Sequence, residues 1–351
     1  MKKKMVIAAC SGALTMILGG TMLATHIIVK RQFRRRKYPD VPTADLYYRD
    51  YKTQYSRTAI SFPSGKNRLQ GYIYGEGNNK GLLVFAHGIG SGHEGYIKEI
   101  LWMVDHGWRV LAYDATGSCE SEGKGTVGLV QSALDLDAAL TYVEKDAELS
   151  KLPICLMGHS WGGYAVTAGL SFGHDVKASV SISGYADPVE MMMQFATTSM
   201  SSATAFLYPF VWLDEHITFG KHASLTAVDG INQSNIPVML IHGTEDGLIP
   251  LHSAAIIGHA DQITNRNVVY RTIDWEGQNG HSTVFRCADS LHYIEKVNAD
   301  YRQLYDAHGG NVPLDVRKAF IDSLDKALVN RPNEPLLQEI NSFLNDVLQA
   351  H

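Results

Sequence analysis

The stretch from Lys151 to Leu170 constrains the fold more tightly than any other. Lys151-Leu-Pro-Ile-Cys-Leu156 is a short apolar run of strand character. Met157-Gly158-His159-Ser160-Trp161-Gly162-Gly163 follows, and Tyr164 to Leu170 reads as helix. Gly158-x-Ser160-x-Gly162 therefore falls at a strand-to-helix turn, the setting of a nucleophile elbow. Such a turn lifts the serine hydroxyl above the sheet edge. Gly158 and Gly162 remove side chains where strand and helix come close. The helix behind the serine turns free N–H groups and a positive dipole end toward it.

The remaining pattern agrees with a sheet built around that turn. Arg57–Phe62 and Leu69–Tyr74 flank Pro63-Ser-Gly-Lys-Asn67 and predict a hairpin. Further strands are expected at 81–86, 108–113, 178–182, 236–241 and 268–273. Helices are expected at Tyr96–Val104, over the amphipathic Val127–Leu149, and from the turn after Pro250 to about His259. Strands alternating with helices at this spacing predict an α/β chain with a mostly parallel sheet covered on both faces. Residues 188–235 interrupt the alternation with Met191, Met192, Met193, Phe195, Phe210 and Trp212, and carry no strand signal. They read as a helical insertion. It is either a core-packing helix pair or a cap whose Met192, Phe210 and Trp212 line an apolar substrate pocket. Residues 291–351 read as a helical extension, with helical segments broken at Gly309-Gly310 and Pro332.

Charge is unevenly placed. Residues 1–37 hold nine Lys and Arg and no acid, whereas the remainder carries a net charge of −14. An acidic domain of that size repels phosphates, so nucleic acid is not an expected partner. Met5 to Val29 contains no Asp, Glu, Lys or Arg. As a helix it would be about 37 Å long, enough to cross a ~30 Å hydrocarbon core. The sequence thus predicts an N-terminal transmembrane helix over about 5–29, a basic flank to 37, a linker over 38–55, and a catalytic core over 56–187 and 236–290. Lys30, Arg31, Arg34, Arg35, Arg36 and Lys37 outnumber the charges before the span, which points the catalytic domain to the cytoplasmic side. The four cysteines, Cys10, Cys119, Cys155 and Cys287, show neither a disulfide framework nor metal-ligand spacing.

A serine needs a base to take its proton and an acid to orient that base. In chains with this elbow, acid and histidine follow the serine in sequence. Asp246 lies in the loop after the 236–241 strand, with Glu245 and Asp274 as rival acids. His281 lies in the loop after the last strand, with His242 and His252 as rival bases. His159, beside the serine, reads as a packing residue. An oxyanion also needs donors. The backbone N–H groups of Trp161 and of Ile89, in His87-Gly88-Ile89-Gly90, are placed to serve.

The elbow, His87-Gly88, Gly243-x-x-Asp246-x-x-x-Pro250 and Gly280-His281 together resemble the α/β-hydrolase superfamily over roughly residues 56–290. More narrowly, the chain resembles its serine aminopeptidase and monoacylglycerol-lipase-like branch. Asp114-Ala-Thr-Gly-Ser-Cys-Glu-Ser-Glu-Gly123 is similar to the Asp-x-x-Gly-x-Gly-x-Ser-x-Gly loop of that branch, with Cys119 where the pattern has its second glycine. The resemblance implies a Ser160–Asp246–His281 triad, Ile89 and Trp161 as oxyanion donors, and neither metal nor organic cofactor. The expected activity is hydrolysis of carboxylic esters with a small or lipid-like ester as substrate. A peptidase of the same mechanism and a non-catalytic binding module on the same fold are the alternatives.

Overall fold

The computed structural model describes residues 18–199 and 202–350. Its frame is one sheet of eight strands in the order β1-β2-β4-β3-β5-β6-β7-β8. These are β1 (Arg57–Ser64), β2 (Asn67–Tyr74), β3 (Leu82–Ala86), β4 (Arg109–Tyr113), β5 (Ile154–His159), β6 (Val176–Ile182), β7 (Val238–Gly243) and β8 (Val268–Ile273). The hairpin β1–β2 is antiparallel and meets β4 antiparallel, and every pairing from β4 to β8 is parallel. All eight sequence-predicted strands are present.

Parallel strands buried on both faces read as continuous apolar runs, and β3 shows why. Leu82, Val84 and Ala86 point to one layer, where they pack with Leu136 and Leu140 of α4 (Gln131–Lys145) and Ala165 of α5 (Trp161–Ala168). Leu83 and Phe85 point to the other, with Ile97 and Ile100 of α3 (Ile97–Asp105). The C-terminal helix α12 (Glu334–Gln349) completes that second layer with Leu336, Leu337, Ile340 and Leu344. Its Asn341 accepts a hydrogen bond from the buried Trp108 indole at 2.9 Å.

Several boundaries differ from the sequence reading. Helix α4 starts at Gln131, not Val127, because Val127 adopts φ +65°, which no helix interior accommodates. The segment after Pro250 forms turns and a 3₁₀ helix (Ile256–Gln262) rather than a regular helix. The C-terminal region holds four helices instead of three: α9 (Ala288–Ala307), α10 (Leu314–Asp322), α11 (Lys326–Val329) and α12. The extra one exists because the Asp325 carboxylate caps the Leu328 N–H.

Residues 5–17 of the expected span lie outside the described residues. The rest belongs to α1 (18–32), where Thr25 is buried and Val29 packs on the core. Among the described residues, no helix is long and apolar enough to cross a membrane. The stretch 38–55, expected as a linker, is a strap fixed to the domain. Tyr38 donates to Asp114, Leu46 N–H to Asn330, and Tyr48 N–H to Glu94. It carries α2 (Tyr48–Tyr51). Just before it, Arg35 donates to the carbonyls of Cys119, Ser121 and Gly123.

Between β6 and β7 stand α6 (Pro188–Ser199), α7 (Tyr208–Phe219) and α8 (Ala227–Ser234). On α7, Glu215 is buried beside Gly128 with its Oε2 unpartnered. Burial, with Asp214 and Asp187 near, pushes this carboxyl up to about 8.

The packing sets two expectations for stability. Ile340→Ala leaves a cavity between α12 and the sheet and is expected to lower unfolding free energy by about 2–5 kcal/mol in urea titration. Glu215 keeps its proton in the folded chain above pH ~4.3, where the unfolded chain loses it. Its contribution to stability therefore falls as pH rises from there toward about 8. Melting curves across that window should show a smaller decline for Glu215→Gln than for the parent.

Candidate active site

The site starts with backbone strain. Ser160 adopts φ +56°, ψ −114°, a conformation costly for a residue with a Cβ. It is held there from both sides. The Ser160 N–H donates to the Ile182 carbonyl of β6 at 2.8 Å, and the Ser160 carbonyl accepts from Tyr164 N–H. A Cβ at Gly158 would strike the Gly162 carbonyl, and one at Gly162 would strike the Ala86 carbonyl of β3. The two glycines let β5, β3 and α5 approach closely enough to impose the turn.

Three side chains converge above it. Ser160 Oγ lies 2.9 Å from His281 Nε2, and His281 Nδ1 lies 2.7 Å from Asp246 Oδ2. In the matching tautomer, the Ser160 hydroxyl donates to Nε2 and Nδ1–H donates to the carboxylate. Asp246 Oδ1 also accepts the N–H groups of Leu248 and Ile249. Burial alone would raise this carboxyl's pKa, but hydrogen bonds from His242 and His281 hold it well below the usual carboxylate range. The rivals stand elsewhere. Glu245, Asp274 and His252 are exposed, while His242 Nε2 sits against Asp246 and the Ile249 carbonyl. His242 thus orients the acid.

The two backbone N–H groups expected as oxyanion donors lie free near Ser160. Among the described residues, neither Trp161 N–H nor Ile89 N–H has a hydrogen-bond acceptor. His87, part of the His87-Gly88 motif, turns the peptide that carries the Ile89 N–H. Its Nδ1 lies 2.8 Å from the Gly88 carbonyl, and its Nε2 accepts the Ala115 N–H at 2.9 Å. Carbonyl and N–H of one trans peptide point opposite ways. With the Gly88 carbonyl held back by His87, the Ile89 N–H of the same peptide faces the other way. Desolvation lowers the pKa of this fully buried histidine, which keeps it neutral with one donor and one acceptor nitrogen.

His159 packs as expected against Phe285 and also does more. Gly88 N–H donates to Tyr96 Oη, Tyr96 O–H donates to His159 Nδ1 at 2.7 Å, and His159 Nε2–H donates to the His281 carbonyl at 2.8 Å. Burial lowers the His159 pKa to about 3, so it remains a neutral bridge. This chain of bonds joins the loop of Ile89 to the backbone of His281. No periodicity could have shown it, because it depends on where three loops meet.

The Asp114–Gly123 loop stands behind. Asp114 accepts from Tyr38, His93 and Glu120. Burial works against its charge, but His93 and His87 outweigh it and set the pKa at about 2. Cys119 takes φ +41°, so the turn expected of a glycine is made by a cysteine, and its Sγ donates to the Ser91 carbonyl.

The cleft over Ser160 encloses about 530 Å³. Its walls come from the strap (Pro39, Leu46, Tyr47), the Ile89 loop, and Phe285. Met192, Phe210 and Trp212 do not line it. Met192 packs between cap and core, and Trp212 points outward. The strap occupies the position the sequence reading gave to the insertion. Among the described residues, no group of three or more His, Cys, Asp or Glu is arranged to hold a metal ion.

Known proteins share this frame. Pyrococcus furiosus esterase Pf2001 superposes with a TM-score of 0.52 at 18% identity, covering 77% of this chain and 95% of that one. The chain has the α/β-hydrolase fold. An acylaminoacyl peptidase in complex with Z-Gly-Gly-Phe-chloromethyl ketone superposes with a TM-score of 0.51 at 18% identity, over 71% of this chain and 41% of that one. The Hydrolase_4 family, described as serine aminopeptidase, S33, matches residues 77–220, which include Ser160. The uncharacterized protein YfhR of Salmonella typhi is 24% identical over 223 residues, 60% of this chain and 73% of that protein.

Releasing the Gly88–Ile89 peptide should disable one donor while sparing the serine and its base. His87→Phe is expected to lower kcat on a probe ester about 10²–10³-fold with a far smaller change in KM. A matching melting temperature would show that the fold survived.

Proposed function

We propose that the chain is a serine hydrolase that cleaves carboxylic esters through an acyl-enzyme. The observation that carries this reading is the unbroken contact Ser160–His281–Asp246, with both links under 3 Å, at a strained elbow. In the proposed reaction, Ser160 Oγ attacks the ester carbonyl as His281 takes its proton. The oxyanion is held by Ile89 and Trp161 N–H, and His281 returns the proton to the leaving alcohol. Water then enters by the same route and releases the acid. Asp246, charged and pinned by two N–H groups, stabilises the imidazolium that forms twice in the cycle. These steps use the chain's own groups and call for no cofactor.

We also propose that the apolar run beginning at Met5 attaches the enzyme to a membrane, with the catalytic domain on the cytoplasmic side. The uncharged sequence and the basic residues from Lys30 to Lys37 support this.

One observation favours the peptidase alternative. Glu99, buried in the first turn of α3, lines the same cleft and has Oε2 without a partner. A buried carboxylate with a free oxygen would receive a substrate amine.

A fluorophosphonate probe tests the reading. It should label the parent and leave Ser160→Ala unlabelled. Asp246→Asn should lose about 10⁴-fold in kcat on an ester, because the imidazole loses its orienting charge. Absence of labelling in the folded parent would move the chain to the binding-module reading. Faster turnover of aminoacyl amides than of matched esters, abolished in Glu99→Gln, would assign it to the peptidases.

A further inference from the structure

Helix α7 departs from the pattern of a surface helix in water. Its inner face buries Val211, Asp214, Glu215 and Phe219. The opposite face of such a helix is ordinarily polar. Here it presents Trp212, Leu213 and Ile217, which are 44%, 43% and 68% exposed. Helix α1 repeats the arrangement. Thr25 is buried and Thr21, Met22 and Val29 are half-buried on the protein side, at the i, i+4 spacing of one face. Leu23, Ile27 and Ile28 are exposed on the other. His26 Nδ1 of α1 lies 2.7 Å from the buried Asp214 of α7. Two helices with apolar outer faces are thus fastened together at a fixed point.

The chain around them identifies what covers these faces. Upstream of α1, the sequence runs from Met5 to Ile17 without a charged residue. Lys30 and Arg31 stand in the last turn of α1, and Arg34 follows it. An apolar helix face ending in a basic cluster matches the acyl–headgroup boundary of a membrane, where anionic lipids attract the cations. Tryptophan favours that same depth. Exposed apolar faces on two helices joined in this way mark an interaction site.

We propose that the outer faces of α1 and α7 form one surface that lies on the lipid bilayer, with Trp212, Ile217 and Ile27 at the headgroup–acyl boundary. The inference rests on the membrane attachment proposed above and goes beyond it. The insertion is the part of the catalytic domain that touches lipid, and the anchor is fixed to it through His26 and Asp214 instead of tethering the domain at a distance.

The test uses the full chain in phosphatidylcholine nanodiscs that carry a lipid spin-labelled near the headgroup end of its acyl chain. Of the five tryptophans, Trp108 and Trp161 are fully buried, Trp102 and Trp275 are half-buried, and Trp212 is exposed. The spin-labelled lipid should quench tryptophan emission in the parent, and Trp212→Phe should lose most of that quenching at an unchanged melting temperature. A chain that enters nanodiscs yet shows no quenching, or equal quenching in Trp212→Phe, overturns the bilayer surface and leaves the anchor standing. Shielding of Trp212 that appears only in discs holding two copies assigns the face to a second copy and overturns the proposal. Failure to enter nanodiscs or to float with vesicles overturns both readings.

Discussion

The site depends on how closely α5 can approach the ends of β3 and β5. A side chain at 158 or 162 would push helix and strands apart, and the Ser160 backbone would relax from φ +56° to an ordinary turn. The hydroxyl would then leave His281, and the Trp161 N–H would swing with it. One packing constraint therefore sets the Ser160 hydroxyl and the Trp161 N–H together. The cost of the strained residue, of order 1–3 kcal/mol, is met by the burial of the surrounding sheet.

The Ile89 peptide and the backbone of His281 are both held by neutral histidines. His87 orients the peptide of Ile89, while His159 connects Tyr96 and Gly88 to the backbone of His281. Both are depressed by burial, and neutrality is what their positions require. A protonated ring offers two donors and no acceptor. His87 could then no longer accept the Ala115 N–H, nor could His159 accept the Tyr96 hydroxyl. The low dielectric that would penalise an unpaired polar atom keeps these rings in the one state that pairs every nitrogen.

The strands, the elbow and the meeting of Ser160, Asp246 and His281 were legible because each leaves a local trace: an apolar run, a glycine spacing, a polar loop at a strand end. The chain 38–55 left a misleading one. Its prolines and tyrosines look like a tether, yet Tyr38, Leu46 and Tyr48 bond to Asp114, Asn330 and Glu94, partners up to hundreds of positions away. Such pairings carry no periodic signal. Composition also misplaced the pocket. Met192, Phe210 and Trp212 are as apolar as a lipid site demands, but apolarity does not say which way a helix faces. Even the cysteine at 119 obeyed geometry over residue preference, taking a left-handed turn because Arg35 and Arg36 hold its carbonyl and N–H.

That relocation of the cleft wall changes how substrate choice is built. A wall made by an insertion can move with its helices, whereas the strap is hydrogen-bonded at Tyr38, Leu46 and Tyr48 and ion-paired from Asp45 to Arg286. The cleft at Ser160 also has Lys37, Lys98 and Glu99 in its lining. The same strap continues back through Arg35, clamped on three carbonyls, into α1. Residues that wall the cleft and residues that meet the insertion thus belong to one continuous, fixed segment. The Arg35 clamp lies between α1 and the part of this segment that walls the cleft.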